Sequence, residues 1–272
     1  MKKIYSQITK FIRLVVPKLP SLERSLSLSK RIGGGFLLLL SIGLQAQTVK
    51  VAAAANLRYV FEDIDTAYEK ANPSVKVEAN FGSSGMLYQQ IVNGADFDLF
   101  MAADNSFPKK LKELGAASDE MKIYALGKLV LWSNSIDVST GLDILTSDVV
   151  KRIAIAKPEL APYGDRAIET LKKTGLYEKV KDKLVYADNI SQTAQFVQTG
   201  NAEVAFLAMS LTLSPEMQGS TFEIMASNYT AVEQGLILVK KWKPNPEAAK
   251  FMQFVLSPAC KPIFEKHGYV VP

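Results

Sequence analysis

VKVEANFGSSGMLYQQIVNGADFDLFMAAD, residues 75–104, changes its hydrophobic rhythm twice. VKVEANF (75–81) alternates apolar and polar side chains, the period of a strand. MLYQQIVNG then spaces its apolar residues along one face of a short helix, and Gly94 supplies a stop. FDLFMAA (97–103) is a second strand, almost wholly apolar, and Asp104-Asn105 is a capping signal before FPKKLKEL. Strand, helix and strand in this order are the unit of a parallel sheet. Gly82-Ser83-Ser84-Gly85 joins the first strand to the helix. Locally it reads as a turn or an N-cap. Chemically it leaves the first helical N–H groups accessible to something negative.

The same alternation extends in both directions. VKVAAAA (49–55) is a short apolar strand, and LRYVFEDIDTAYEK (57–70) places Leu57, Val60, Phe61, Ile64 and Tyr68 on one helical face, stopped by Asn72-Pro73. A second series begins near Gly127: strand KLVLWSN (128–134), helix LDILTSDVVK (142–151) and strand RIAIA (152–156). Helix GDRAIETLKK (164–173), strand KLVYA (183–187), helix SQTAQFVQTG (191–200) and strand VAFLAMS (204–210) complete it. Strand GLILVKK (235–241) and helix NPEAAKFMQFVLS (245–257) follow, with Pro246 suited to a first helical turn. These are too many βα units for one small sheet. The expected fold is α/β in two lobes, each a mostly parallel sheet flanked by helices. Residues 47–126 form the first lobe, 127–238 the second, and 239–272 return to the first.

The 272-residue chain is 48% hydrophobic, enough for a substantial core. Its net charge of +5 is misplaced as a guide, because residues 1–46 hold eight Lys/Arg against the single acid Glu23. Residues 47–272 carry 24 basic and 26 acidic side chains, so composition offers no nucleic-acid surface. The front segment reads as an export signal: a basic stretch ending at Lys30-Arg31, the apolar run GGGFLLLLSIGL, and a cleavage point after Ala46. Its apolar part is too short for the roughly 20 residues that span a bilayer. No cysteine stands near the cut to carry a lipid, so a soluble exported protein in a periplasm is expected. The single cysteine, Cys260, excludes an intrachain disulfide and reads as a small core residue. The single histidine, His267, argues against a histidine metal site or a Ser/His/Asp triad, and its setting in EKHGY reads as surface.

Ligands of open α/β sheets collect at the carboxyl ends of strands, where helix N-termini also lie. Four junctions have that character, two in each lobe: Ala55-Asn56, Ser83-Ser84-Gly85, Pro162-Tyr163-Gly164 and Asn189-Ile190-Ser191. Each taken alone is most simply an N-cap. Aimed at one point, they make an anion site of backbone N–H groups, helped by helix dipoles. GSSG matches neither the dinucleotide nor the phosphate-loop glycine pattern, and lacks the GxSxG layout of a hydrolase elbow. Residues 47–272 contain only Arg58, Arg152 and Arg166, with no cluster for clamping phosphate.

VKVAAAANL, NFGSSGMLYQQIVNGADFDLFMAAD, KPELAPYGDRA and VAFLAMS together resemble the molybdate-binding proteins of ABC transporters, over essentially all of 47–272. The resemblance implies a two-lobed periplasmic binding protein of type II, with crossover strands joining the lobes and the ligand in the cleft between them. It implies capture of molybdate, and of tungstate, as an oxyanion, so that molybdenum is held only through its oxygens and no cofactor is needed. The implied ligands are Asn56 with the Ala55 backbone, Ser84, and the N–H groups of Tyr163 and Ile190. Asn56 stands where many members carry serine, its amide serving as a donor. Ala208 takes the place of a tyrosine that some members contribute, a role Tyr163 could fill. The implied partner is an inner-membrane ABC permease, with a monomer expected, no catalytic residues and no nucleic acid. Carriage of sulfate or phosphate stays open. So does an exported serine enzyme using Ser83 or Ser84 with a lysine base, and a regulator's sensing domain is a third reading by fold analogy.

Overall fold

The structure, a computed structural model, describes residues 47–117 and 120–272. The export signal expected at 1–46 lies outside the described residues. Among the described residues two five-stranded sheets share one plan. The first contains β1 (Gln47–Ala54), β2 (Val75–Gly82), β3 (Leu99–Met101), β4 (Lys122–Gly127) and β10 (Val232–Leu238), in the order β2-β1-β3-β10-β4. The second contains β5 (Leu129–Ser133), β6 (Ile153–Ala156), β7 (Leu184–Ala187), β8 (Val204–Ala208) and β9 (Ser220–Glu223), in the order β7-β6-β8-β5-β9. In each, three strands run parallel and the next is antiparallel to both its neighbours. The result is the two-lobed, mostly parallel architecture expected from the sequence.

Several elements differ from the sequence reading. β10 pairs Leu236 with Met101 and Val232 with Gly127, so it belongs to the first sheet. A division at 238 leaves it in the second lobe; its hydrogen bonds move the return crossing to just before Val232. β4 has no counterpart in the sequence reading, and Lys128 alone separates it from β5 in the other sheet. The helix expected at 142–151 is only a 3-10 turn, Leu142–Thr146, and the strand expected at 97–103 narrows to Leu99–Met101.

Helices cover both faces of the sheets, which is why the central strands are apolar on both sides. In the first lobe α1 (Arg58–Ala71) buries Val60, Phe61, Ile64 and Tyr68 beside β1. The C-terminal helices α8 (Pro246–Val255) and α9 (Lys261–Lys266) pack in the same cluster. The opposite face carries α2 (Ser84–Val92) and α3 (Ser106–Glu113), with Leu87, Phe100 and Leu111 between them. In the second lobe α4 (Pro162–Lys173), α5 (Tyr177–Val180), α6 (Ile190–Gln198) and the short α7 (Met209–Thr212) surround a core built on Trp132, Ile155 and Phe206. Cys260 is fully buried, and burial pushes its thiol up to about 12, so it stays protonated and unreactive. His267 is not a surface residue: its side chain is 12% exposed and its Nε2 lies 2.8 Å from Asp63 Oδ2, joining α9 to α1.

Asp65 on α1 is a local misfit. One carboxylate oxygen is buried without a partner, and burial, aided by the charge of Glu69 and opposed by Lys76, raises its pKa to about 6. A raised carboxylate favours the native state in its protonated form. Stability from this group is therefore present below about pH 4 and lost as pH rises through 6. Asp65→Asn should raise the unfolding temperature at pH 7.5 by about 2–4 °C, roughly 1 kcal/mol after solvent screening. That gain should vanish at pH 4 in thermal unfolding followed by circular dichroism.

Candidate functional site

The carboxyl ends of the parallel strands in both sheets open onto one small cavity. Ala55, Asn56, Ser84, Tyr163 and Ile190, the five residues singled out in the sequence, all line it, together with Ser83, Gly82 and Ala103. The four helix starts are thus brought together, two from each lobe.

The local backbone explains which groups remain unused. Ala54, Ser83 and Ala161 each precede a helical turn in extended conformation, and none of the three turns has a side-chain cap. In α4, Pro162 has no N–H, while Gly164 and Asp165 both donate to the Ala161 carbonyl. Tyr163 is left as the N–H of that turn without an intrahelical acceptor. Gly164 permits the close seating of this turn, since a Cβ there would stand 2.0 Å from the Ala156 carbonyl oxygen. In α6, Asn189 does cap, accepting from Gln192 N at 3.0 Å, and its carbonyl takes Thr193 N–H. The first N–H groups, on Ile190 and Ser191, lie ahead of that cap.

The two serines play different parts. Ser84 Oγ accepts from Ala103 N at 2.9 Å, which leaves its own hydrogen to donate. Ser83 reads in the sequence as a helix cap, but it makes no capping bond. Its Oγ is buried without a hydrogen-bond partner in a residue 4% exposed. An unpaired buried hydroxyl on a cavity wall is a donor awaiting an acceptor.

Asn56 departs from the expectation that its amide faces the ligand. Nδ2 donates to Gln234 Oε1 at 2.9 Å and to the Tyr269 hydroxyl at 2.7 Å, which uses both hydrogens. Gln234 cannot be reversed, because its Nε2 donates to Ala103 O at 3.1 Å. The cavity-facing donor that remains on Asn56 is its N–H. Ala208 closes β8 as a fully buried residue away from the cavity wall. Tyr163 does not supply a replacement hydroxyl, since its phenol turns back toward Gln234 Nε2, 3.5 Å away. Gln234 itself sits at an inward position of VEQGLIL, where a lone polar residue among apolar ones was a legible signal.

Among the described residues, no acidic or basic side chain lines the cavity. His267 is engaged by Asp63, so neither it nor a lining lysine stands beside Ser83 or Ser84 as a base. The chemistry available is hydrogen-bond donation from neutral dipoles. Three further bonds link the lobes across the cleft: Gly85 N to Leu160 O at 2.8 Å, Ser191 Oγ to Ala55 O at 3.2 Å, and Ser210 Oγ to Asn56 O at 2.9 Å.

The sequence and the fold both match known proteins. The family described as bacterial extracellular solute-binding protein matches residues 49–270. The molybdate-binding protein ModA of Azotobacter vinelandii is 38% identical over 252 residues, covering 90% of this chain and 98% of that protein. ModA of Rhodobacter capsulatus is also 38% identical, over 85% of this chain and 91% of its own. The solved structure of the Azotobacter vinelandii periplasmic molybdate-binding protein superposes with a TM-score of 0.77 at 31% identity, covering 82% of this chain and 99% of that one. The chain belongs to the bacterial extracellular solute-binding proteins, in the group formed by the molybdate-binding proteins of ABC transporters.

Proposed function

We propose that this protein captures molybdate, and tungstate with it, in the periplasm and delivers it as a monomer to an ABC permease of the inner membrane. The observation that carries the reading is the convergence of four helix starts on one cavity without acidic or basic side chains in its wall, with the Ser83 hydroxyl unpaired in it. Molybdate is an unprotonated dianion at neutral pH, and every oxygen wants a donor. The N–H groups of Ala55, Asn56, Ser84, Tyr163 and Ile190, with the two serine hydroxyls, supply donors alone. Phosphate carrying a proton would need an acceptor as well and would meet a mismatch.

Charge-assisted hydrogen bonds contribute roughly 1.5–3 kcal/mol each. Several together support micromolar to nanomolar binding, about −8 to −12 kcal/mol, after the costs of association. Capture and delivery follow as a hinge cycle: the open protein takes the dianion, the lobes close, and the closed form docks on the permease. No cofactor takes part, and binding rather than catalysis uses the serines. Isothermal titration with molybdate, tungstate, sulfate and phosphate tests the reading. Tighter binding of sulfate than of molybdate would replace it with carriage of a different oxyanion.

A further inference from the structure

Tyr163 presents its N–H to the cavity, yet its ring runs the other way, into the connection between the lobes. The residue is 2% exposed. Its hydroxyl fills the space beside Gly127: a Cβ at 127 would stand 2.0 Å from Oη, 2.9 Å from Gln234 Nε2 and 3.1 Å from Cζ. Gly127 is not among the glycines with positive φ, so backbone conformation does not require glycine there; room for the hydroxyl does.

Gly127 ends β4, and Gln234 lies on the adjacent β10, where Val232 pairs with Gly127 and Gln234 with Ala125. These two strands carry the chain between the sheets. Gln234 is fully buried and holds Asn56 and Ala103 of the first lobe while its Nε2 meets the Tyr163 hydroxyl of the second. Tyr124 also donates to Gln234 Oε1, at 3.3 Å. A contact of 3.5 Å is long for a hydrogen bond, so the fit around the hydroxyl is mainly steric. Burial, with Tyr269 and Tyr229 nearby, pushes the Tyr163 pKa well above 10, which keeps a neutral phenol in that space.

We propose that Gly127 and Gln234 are positioning residues that form a socket for the Tyr163 hydroxyl, filled when the lobes close, and thereby set the Tyr163 N–H opposite Asn56 and Ser84. The socket couples the connection between the lobes to the ligand-facing turn of α4. This rests on the reading of the cleft as a molybdate site. The lever is steric, so it makes a suppressor prediction that a merely structural glycine would not.

Titration calorimetry with molybdate, and in parallel with sulfate, should compare wild type, Gly127→Ala, Tyr163→Phe and the double variant. Gly127→Ala should weaken binding by about thirtyfold or more, and Tyr163→Phe by about three- to tenfold, within the range of coupled contacts. The double variant should bind at least about tenfold better than Gly127→Ala alone, because the hydroxyl, by far the closest atom the new methyl strikes, is gone and only the end of the Gln234 side chain has to shift. Wild-type affinity in Gly127→Ala, or a double variant weaker than both singles, overturns the socket. If Gly127→Ala does not fold, unchanged affinity in Tyr163→Phe overturns it instead. Should wild type prefer sulfate, the molybdate reading fails while the same four-protein comparison with sulfate still judges the socket. A wild type that binds neither anion sinks both.

Discussion

Gly85→Ala is expected to lower molybdate affinity by about a hundredfold while leaving the unfolding temperature at or slightly above that of wild type. Gly85 lies in the first turn of α2, and its N–H crosses the cleft to Leu160 O at 2.8 Å. A Cβ at this position would meet Leu160 Cα at 2.9 Å and its carbonyl oxygen at 3.0 Å, both backbone atoms of the opposite lobe. The remaining close neighbour, Phe107 Cζ at 3.0 Å, is the end of a ring that can swing. With the lobes apart the clash with Leu160 disappears. Alanine is then the better helix former, by about 0.5–1 kcal/mol. The cost of the substitution therefore falls on closure, and a hundredfold loss corresponds to about 2.7 kcal/mol withheld from the closed state. Calorimetry gives the affinity, and small-angle scattering with saturating molybdate should show the variant more extended than wild type. Wild-type affinity with wild-type compaction would contradict this role for the Gly85–Leu160 contact.

The second large effect separates the two serines. Ser83→Ala should raise the unfolding temperature of the ligand-free protein by about 2–4 °C and weaken molybdate binding by about ten- to a hundredfold. Its hydroxyl is buried without a partner, so the free protein carries a desolvation cost of about 1 kcal/mol or more that only a ligand relieves. Ser84→Ala should weaken binding by a similar factor but lower the unfolding temperature, because it strips the acceptor from the Ala103 N–H. Opposite signs in stability with the same sign in affinity would be hard to produce by general disruption. Such a trade of stability for function is characteristic of binding sites. A lower unfolding temperature for Ser83→Ala, or unchanged affinity, would remove Ser83 from the site.

The parts of this molecule legible in the sequence are those set by local pattern. Strand followed by helix start is written in a few adjacent residues, so all four junctions are legible, and all four contribute residues to the cavity wall. What was not legible depends on partners far along the chain. The Asn56 amide is turned by Gln234, 178 positions away, and by Tyr269, 213 positions away. The direction of the Tyr163 phenol is fixed by Gly127 and the same Gln234. β10 reads like any apolar strand, and only its antiparallel pairing with β3 and β4 assigns it to the first sheet. Ser83 is illegible for another reason: serine before a helix is a common N-cap, and nothing local says that its hydroxyl makes no capping bond.

The central claim is that the cleft holds an unprotonated tetrahedral dianion by hydrogen-bond donors alone. The most direct measurement is native mass spectrometry of residues 47–272 with molybdate, tungstate, sulfate and phosphate in equimolar competition. One molybdate or tungstate per chain should dominate the bound species, with phosphate absent and sulfate displaced. Sulfate or phosphate as the dominant bound species would contradict the account.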